Sequence, residues 1–303
     1  MTAEIYIVSG FLGAGKTTLI QKLLSEAFGG ERTAVIENDF GEAGIDASML
    51  GSSGVEVRQM DSGCICCSLI GDFAKALEDL LTDYRPGRIL IEPSGVGKLS
   101  DVVRACETPK VSALSRVAAK ITVADASRFC KYLDNFGEFY EDQIENADVV
   151  ILSRAEDPRA EDACRRIRNI NGGAVILKKP WSRISPREIL QRADYPAGET
   201  SRGGEEDHSH DHSADEVFDE VTIRTSRSFG EDELKSAVSE IERLFGADVL
   251  RAKGIVKGPN GHLNLQYVPG DLRITDCAAA GNAISVIGRG LDRDRLSSCF
   301  GER

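Results

Sequence analysis

One octapeptide decides the fold of this chain: Gly10-Phe11-Leu12-Gly13-Ala14-Gly15-Lys16-Thr17, which fits the pattern G-x-x-x-x-G-K-[ST]. The apolar run Ile5–Val8 ends just before it, and a helical pattern begins within it. A glycine-rich loop between a strand and a helix wraps backbone N–H groups around phosphates, and the helix N-terminus adds partial positive charge. The sequence therefore predicts a nucleotide phosphate site on the first strand.

The polar residues that end this loop have predicted contacts with the phosphates and with Mg²⁺. We expect Lys16 to reach the β- and γ-phosphates and the Thr17 hydroxyl to bind Mg²⁺. The residues predicted to surround the phosphates are Gly10, Gly13, Ala14, Gly15, Lys16, Thr17 and Thr18.

Short Val- and Ile-rich runs alternate with helical patterns over roughly the first 180 residues. Several runs are apolar on both faces, as strands of a parallel sheet must be. The alternation predicts a doubly wound, mostly parallel α/β sheet. The predicted strands are Ile5–Val8, Ala34–Glu37, Val55–Met60, Ile89–Ile91, Ile121–Ala124, Val149–Leu152 and Val175–Leu177, and the predicted helices include Lys16–Ala27, Asp72–Thr82 and Arg159–Asn169.

Two further strand ends carry polar residues suited to a nucleotide. Glu92 ends the run Ile89–Ile91, where it would hold a magnesium-bound water or position the attacking water, and the Gly95 N–H would face the γ-phosphate. After Val149–Leu152 come Ser153, Arg154 and Glu156, in the place where many GTPases carry Asn-Lys-x-Asp. One carboxylate can accept both the N1–H and N2–H of guanine, so the sequence favours GTP over ATP.

Three thiols lie within four positions, at Cys64, Cys66 and Cys67. Thiolates can converge on one soft ion such as Zn²⁺ or Co²⁺, and Glu37 or Glu42 could supply a fourth ligand. Buried structural cysteines or a redox-active vicinal pair are the alternatives. The scattered Cys106, Cys130, Cys164, Cys277 and Cys299 are expected to be core or surface residues.

The chain divides by composition into residues 1–195, a linker at 196–216 and a small α+β domain at 217–303. The linker is acidic and carries His208, His210 and His212, which predict weak metal binding at most because ordering the segment costs entropy. The predicted elements of the last domain are strands Val217–Thr225, Val249–Val256, Leu263–Val268, Leu272–Thr275 and Ala283–Ile287, and helices Glu231–Phe245 and Leu291–Cys299.

The bulk composition excludes some classes of partner. A net charge of −12 argues against a broad nucleic-acid or anionic-membrane surface. No apolar run approaches the roughly 20 residues of a membrane span, and the N-terminus resembles no signal peptide, so we expect a cytoplasmic protein.

Together, several motifs resemble the CobW-like GTPases, relatives of the hydrogenase and urease maturation GTPases HypB and UreG. The motifs are GFLGAGKTT at Gly10–Thr18, ENDFGE at Glu37–Glu42, GCICC at Gly63–Cys67 and IEPSG at Ile91–Gly95, and the likeness continues through the C-terminal domain. The resemblance implies GTP hydrolysis coupled to delivery of zinc, cobalt or another divalent ion. The recipient would be a client metalloprotein or a protein of a cobalamin or corrinoid pathway.

The resemblance also implies roles for single residues. The transition metal would be held by Cys64, Cys66 and Cys67. Mg²⁺ would lie near Thr17, Glu92 and Asp39, and Asp39 would also act as a switch residue. The chain departs from the family at Ser153–Glu156, where Arg154 and Glu156 replace Lys and Asp. This departure concerns nucleotide affinity and the choice of base, and it leaves the phosphate and metal sites untouched.

Two other functions share parts of these motifs. A kinase would use the same phosphate loop, although the sequence has no recognisable Arg-rich lid. A metal-storage or redox-sensing module would bind metal independently of a structural nucleotide. Monomer and homodimer are both compatible with the sequence.

Overall fold

A computed structural model describes residues 2–28, 32–37, 56–59, 70–193 and 217–301. These residues fall into two compact units, one ending at 193 and the other beginning at 217. The predicted boundaries at 195 and 216 lie outside the described residues and stay predictions.

The first unit is built on a parallel sheet that, within the described ranges, has seven strands. The strands are β1 Ala3–Ser9, β2 Thr33–Glu37, β3 Glu56–Gln59, β4 Arg88–Glu92, β5 Ser115–Asp125, β6 Val149–Ser153 and β7 Val175–Leu177. Their spatial order is β3-β2-β4-β1-β5-β6-β7, and every pairing is parallel. All carboxyl ends therefore meet at one edge, with the loop after β1 near its middle.

Helices cover this sheet because its strands are apolar on both faces. They are α1 Lys16–Glu26, α2 Ile70–Asp83, α3 Leu99–Cys106, α4 Pro109–Ser112, α5 Phe129–Glu145, α6 Ala160–Ile170 and α7 Pro186–Ala193. On one face, Leu23 of α1 and Ile189 of α7 join a core cluster with Tyr6 and Val8. The alternate residue Ile7 is fully buried on the other face. This arrangement confirms the predicted α/β fold.

Two of the differences from the sequence predictions have a clear physical reason. Strand β5 starts at Ser115 rather than Ile121, because its polar first half continues the parallel ladder with β1 from Ala3 onwards. Helix α5 was not predicted, since its buried stripe is aromatic rather than aliphatic and the backbone at Phe136 is non-helical. The described helices include none that is both long and apolar enough to cross a bilayer.

The second unit is an antiparallel sheet of five described strands in the order β11-β10-β9-β12-β8. Leu234, Val238 and Ile241 of its long helix are buried in the apolar core of this unit. The elements are β8 Asp219–Arg224, α8 Glu231–Phe245, β9 Val249–Gly258, β10 Gly261–Val268, β11 Asp271–Cys277, β12 Ala283–Gly288 and α9 Arg293–Cys299. The predicted small α+β domain is therefore present, and α8 has its predicted bounds.

Candidate nucleotide and metal site

The loop after β1 is shaped by three glycines with positive φ: Gly10 at 141°, Gly13 at 70° and Gly15 at 111°. Residues with a Cβ rarely adopt these conformations. At Gly10 a Cβ would also lie 2.3 Å from the carbonyl oxygen of Val123 on β5. The loop can therefore curl tightly only because glycine occupies these positions, which is the backbone shape that a phosphate cradle requires.

Lys16 reaches back across this loop. Its Nζ donates a hydrogen bond to the Gly10 carbonyl at 3.0 Å, and the residue is only 6% exposed. Helix α1 begins at Lys16, directly after Gly15, which has no side chain to cap the helix. The ammonium and the helix N-terminus therefore concentrate positive charge at the same loop, as an anionic phosphate requires.

Thr17 and Glu92 converge from two adjacent elements. The Thr17 hydroxyl donates to Glu92 Oε1 and Oε2 at 3.1 and 3.2 Å, and Glu92 is 7% exposed at the end of β4. A hydroxyl and a carboxylate supply the hard oxygen ligands that Mg²⁺ prefers, either directly or through bound water. The donor set fits the predicted magnesium position.

Glu37 is the register partner of Glu92 in the β2–β4 ladder and is 2% exposed. On its other side, Glu37 pairs with Gln59, the last residue of β3. The predicted metal ligands Cys64, Cys66, Cys67 and Glu42, the switch residue Asp39, and His208, His210 and His212 lie outside the described residues. Within the described ranges, no three His, Cys, Asp or Glu side chains converge as a metal site.

Gly95 lies against the phosphate loop. A Cβ there would come within 2.9 Å of the Leu12 backbone nitrogen and 2.7 Å of Leu12 Cδ2, so a larger residue would displace one of the two segments. The fully buried Gln143 of α5 donates from Nε2 to the carbonyls of Gly95 and Gly97 at 3.2 and 2.8 Å. Gln143 thus positions the segment after β4, a role that its sequence context did not reveal.

The loop after β6 is organised by a buried carboxylate. Asp125 ends β5, is 2% exposed, and forms ion pairs with Arg128 at 2.9 Å and with Arg154. Its other oxygen accepts hydrogen bonds from the Ser127 N–H and hydroxyl at 2.9 and 2.6 Å. Arg154 has a φ of 52°, so this ion pair stabilises an uncommon left-handed backbone.

The predicted base-recognition residues therefore have different surroundings. Ser153 is buried, Arg154 is bound to Asp125, and Glu156 is exposed to solvent. No role was predicted for Asp125, although an acid at a strand end is the same signal that identified Glu92.

The scattered cysteines in the described residues are free thiols. Burial raises the pKa of the Cys106 thiol to about 12, so it stays protonated at neutral pH. A metal ligand must be a thiolate, so Cys106 is suited to core packing, as expected from the sequence.

Comparisons with known proteins follow the same division of the chain. The family model of the CobW/HypB/UreG nucleotide-binding domain matches residues 4–178. The model of the cobalamin synthesis protein CobW C-terminal domain matches residues 218–302.

Individual relatives extend over most of the chain. Zinc chaperone YeiR of Escherichia coli is 27% identical, with 88% of this chain and 87% of the relative covered. Zinc chaperone CobW of a Sinorhizobium species is 29% identical over 86% and 82% of the two chains. Zinc-regulated GTPase metalloprotein activator 1 of Dictyostelium discoideum is 23% identical over 82% and 62%.

Among solved structures, the Zn(II)-bound YjiA GTPase from E. coli matches with a TM-score of 0.50. The match covers 100% of this chain and 99% of that chain at 18% identity. At this identity the likeness concerns the fold alone.

Proposed function

Because this chain belongs to the CobW/HypB/UreG family and is a GTPase, we propose that it is a metallochaperone that delivers a divalent transition ion to a client protein. The ion would be zinc or cobalt, and the zinc chaperones among its relatives favour zinc. The observation that carries the proposal is the Thr17–Glu92 pair, which joins the phosphate loop to the strand end where the predicted metal ligand Glu37 lies beside Glu92.

GTP hydrolysis would depend on positioning and charge neutralisation. Lys16 would neutralise the β- and γ-phosphates, and the Gly95 N–H would face the γ-phosphate. Thr17 and Glu92 would hold Mg²⁺, which when bound supplies further neutralisation of phosphate charge. With the reaction supported mainly by electrostatics, we expect slow turnover by the purified protein.

Metal binding is proposed at Cys64, Cys66 and Cys67, completed by Glu37 or Glu42. Support comes from the sheet register: β3, which precedes the cysteines in sequence, ends at Gln59 opposite Glu37, and Glu37 lies opposite Glu92. A thiolate-bound ion near this edge would feel the triphosphate charge at short range. Hydrolysis would then change metal affinity by releasing the switch segment that contains Asp39.

The client is proposed to be a metalloprotein or a protein of a cobalamin or corrinoid pathway. The chain would act as a monomer or a homodimer. The histidines of the linker would supply weak additional metal binding.

The decisive experiment measures zinc and cobalt affinity by chelator competition, with GDP and with a non-hydrolysable GTP analogue. We expect one tight ion per chain and an affinity that differs between the two nucleotides. The Cys66→Ser variant should weaken zinc binding by about a hundredfold, because it removes a thiolate ligand. Cys277→Ser is the matched control, since Cys277 is a free cysteine of the second unit.

Three results would contradict the proposal. Equal tight zinc binding by wild type and Cys66→Ser would exclude the cysteine motif as the site. Nucleotide-independent metal affinity would favour a storage or redox module. Transfer of the γ-phosphate to an acceptor other than water would favour a kinase.

A further inference from the structure

The single tryptophan of the chain lies against the phosphate loop. Trp181 begins a 3₁₀ turn, Trp181–Arg183, that follows β7. A Cβ built on Gly15 would lie 3.3 Å from Trp181 Cζ2, so the edge of the indole is in contact range of the residue that precedes α1.

The indole is fixed but not enclosed. It is partly buried and packs against the core cluster that contains Ala14 and Ile184. Backbone hydrogen bonds close the turn, from the Arg183 N–H to the Pro180 carbonyl at 2.8 Å and from the Ile184 N–H to the Trp181 carbonyl at 3.3 Å. These bonds fix the backbone of the turn, and the intermediate burial of Trp181 leaves part of the indole surface available to a ligand.

The topology places Trp181 on a particular side of the phosphate loop. From β1 the sheet continues through β5 and β6 to β7, while the Thr17–Glu92 pair lies on the opposite side, towards β4. Ligands of open parallel sheets lie across the carboxyl ends of the strands. With phosphates on α1 and magnesium beside Glu92, the nucleoside must extend towards the loops after β6 and β7.

We propose that Trp181 forms a wall of the nucleoside part of the site and stacks on the base of the bound nucleotide. The proposal deepens the proposed function, because it takes the nucleotide to be that of the GTPase. An indole face attracts any purine, since every base has a π-surface. Trp181 would therefore contribute affinity for the nucleoside, and the choice between guanine and adenine would be left to the loop with Glu156.

The test compares GDP with inorganic pyrophosphate, which has phosphates but no nucleoside. Affinities are measured on the full chain by calorimetry for GDP and ADP and by competition against labelled GDP for pyrophosphate. Trp181→Ala should lower the affinities for GDP and ADP by the same factor, roughly tenfold. Its affinity for pyrophosphate should stay within about twofold of the wild-type value. Trp181→Phe should retain GDP affinity within about threefold, because an aromatic face remains.

Leu190→Ala is the matched control, because Leu190 packs against the same core cluster from α7. It should leave the affinities for all three ligands unchanged. The single tryptophan provides a second readout, since GDP should change its emission in the wild-type protein with saturation at the calorimetric affinity.

Two results would overturn the inference. One is an equal loss of affinity for GDP and for pyrophosphate in Trp181→Ala. The other is tryptophan fluorescence of the wild-type protein that does not change with saturating GDP. Failure of the proposed function gives a different result. If zinc affinity does not depend on the bound nucleotide, the metallochaperone proposal fails, while a Trp181-dependent loss of nucleoside affinity still supports the stacking role of Trp181.

Discussion

The two ends of the nucleotide site are built in different ways. The phosphate end is a contiguous loop whose shape comes from Gly10, Gly13 and Gly15, and Glu92 completes it from the neighbouring β4. The proposed nucleoside end lies at the loops after β6 and β7, and the buried Asp125 holds the loop after β6 through its ion pair with Arg154. Backbone geometry thus shapes the phosphate end, and an ion pair between residues far apart in the chain, Asp125 and Arg154, fixes the loop after β6.

This difference has a physical consequence. A cradle of backbone N–H groups tolerates little change in residue type, because positive φ and close approach leave room only for glycine. A loop fixed by ion pairs can accept other residues if the charges stay paired. The chain departs from the family at Arg154 and Glu156, in the loop that is fixed by an ion pair. There Asp125 pairs with Arg154, one of the two changed residues.

The largest effect is expected at the phosphate end. Glu92→Gln should lower GTP turnover by about a hundredfold, because the neutral amide no longer compensates the magnesium charge. GDP affinity should change far less, since the loop and Lys16 are intact. Single-turnover hydrolysis and calorimetry measure the two quantities.

Glu4→Gln is the control for Glu92→Gln. Glu4 lies near the start of β1, at the opposite end of the sheet, where it pairs with Arg116. It should hydrolyse GTP at the wild-type rate. Equal turnover in Glu92→Gln and wild type would remove Glu92 from the magnesium site.

A smaller effect is expected at the nucleoside end. Asp125→Asn leaves Arg128 and Arg154 without their shared anion, so the loop after β6 should lose its fixed conformation. We expect GDP affinity to fall about tenfold and the free energy of unfolding to fall by about 2 kcal/mol. Calorimetry and denaturant unfolding measure the two changes.

Asp134→Asn is the matched control, because Asp134 forms an exposed ion pair with Arg166. Exposed pairs contribute little to stability, so neither quantity should change measurably. If Asp125→Asn behaved like this control, the ion pairs of Asp125 would not be what fixes the loop after β6.

Base selectivity offers a finer distinction. Glu156→Asp shortens the carboxylate by one methylene and should raise the preference for GTP over ATP by about threefold through better hydrogen-bond geometry. Competition binding with both nucleotides measures the ratio. Glu161→Asp, an exposed acid in the first turn of α6, should leave the ratio unchanged. An unchanged ratio in Glu156→Asp would place base recognition elsewhere.

The smallest effect is expected outside both ends. Deleting residues 205–212 removes the histidines of the predicted linker, and GTP turnover should stay within about twofold of wild type, because so polar a segment has little to contribute to a packed core. Turnover is compared with that of the wild type and of the Glu4→Gln variant. A large loss would show that the linker takes part in catalysis.

Local patterns predicted most of this fold. The Val- and Ile-rich runs identified the strands of the first sheet, and helical periodicity gave the bounds of α8. The family resemblance, drawn from four motifs, is confirmed by the models that match residues 4–178 and 218–302. Helix α5 was missed because its stripe is aromatic and its backbone is interrupted at Phe136.

By itself the sequence determined the phosphate loop, because G-x-x-x-x-G-K-[ST] fixes a local backbone shape through residues adjacent in the chain. It also determined the identity of the strand-end acid Glu92. Only the tertiary structure decided that Asp125 pairs with Arg154, that Gln143 bonds to Gly95 and that Trp181 reaches Gly15. These contacts join residues on separate elements, and their pairing depends on strand order, which local patterns do not encode.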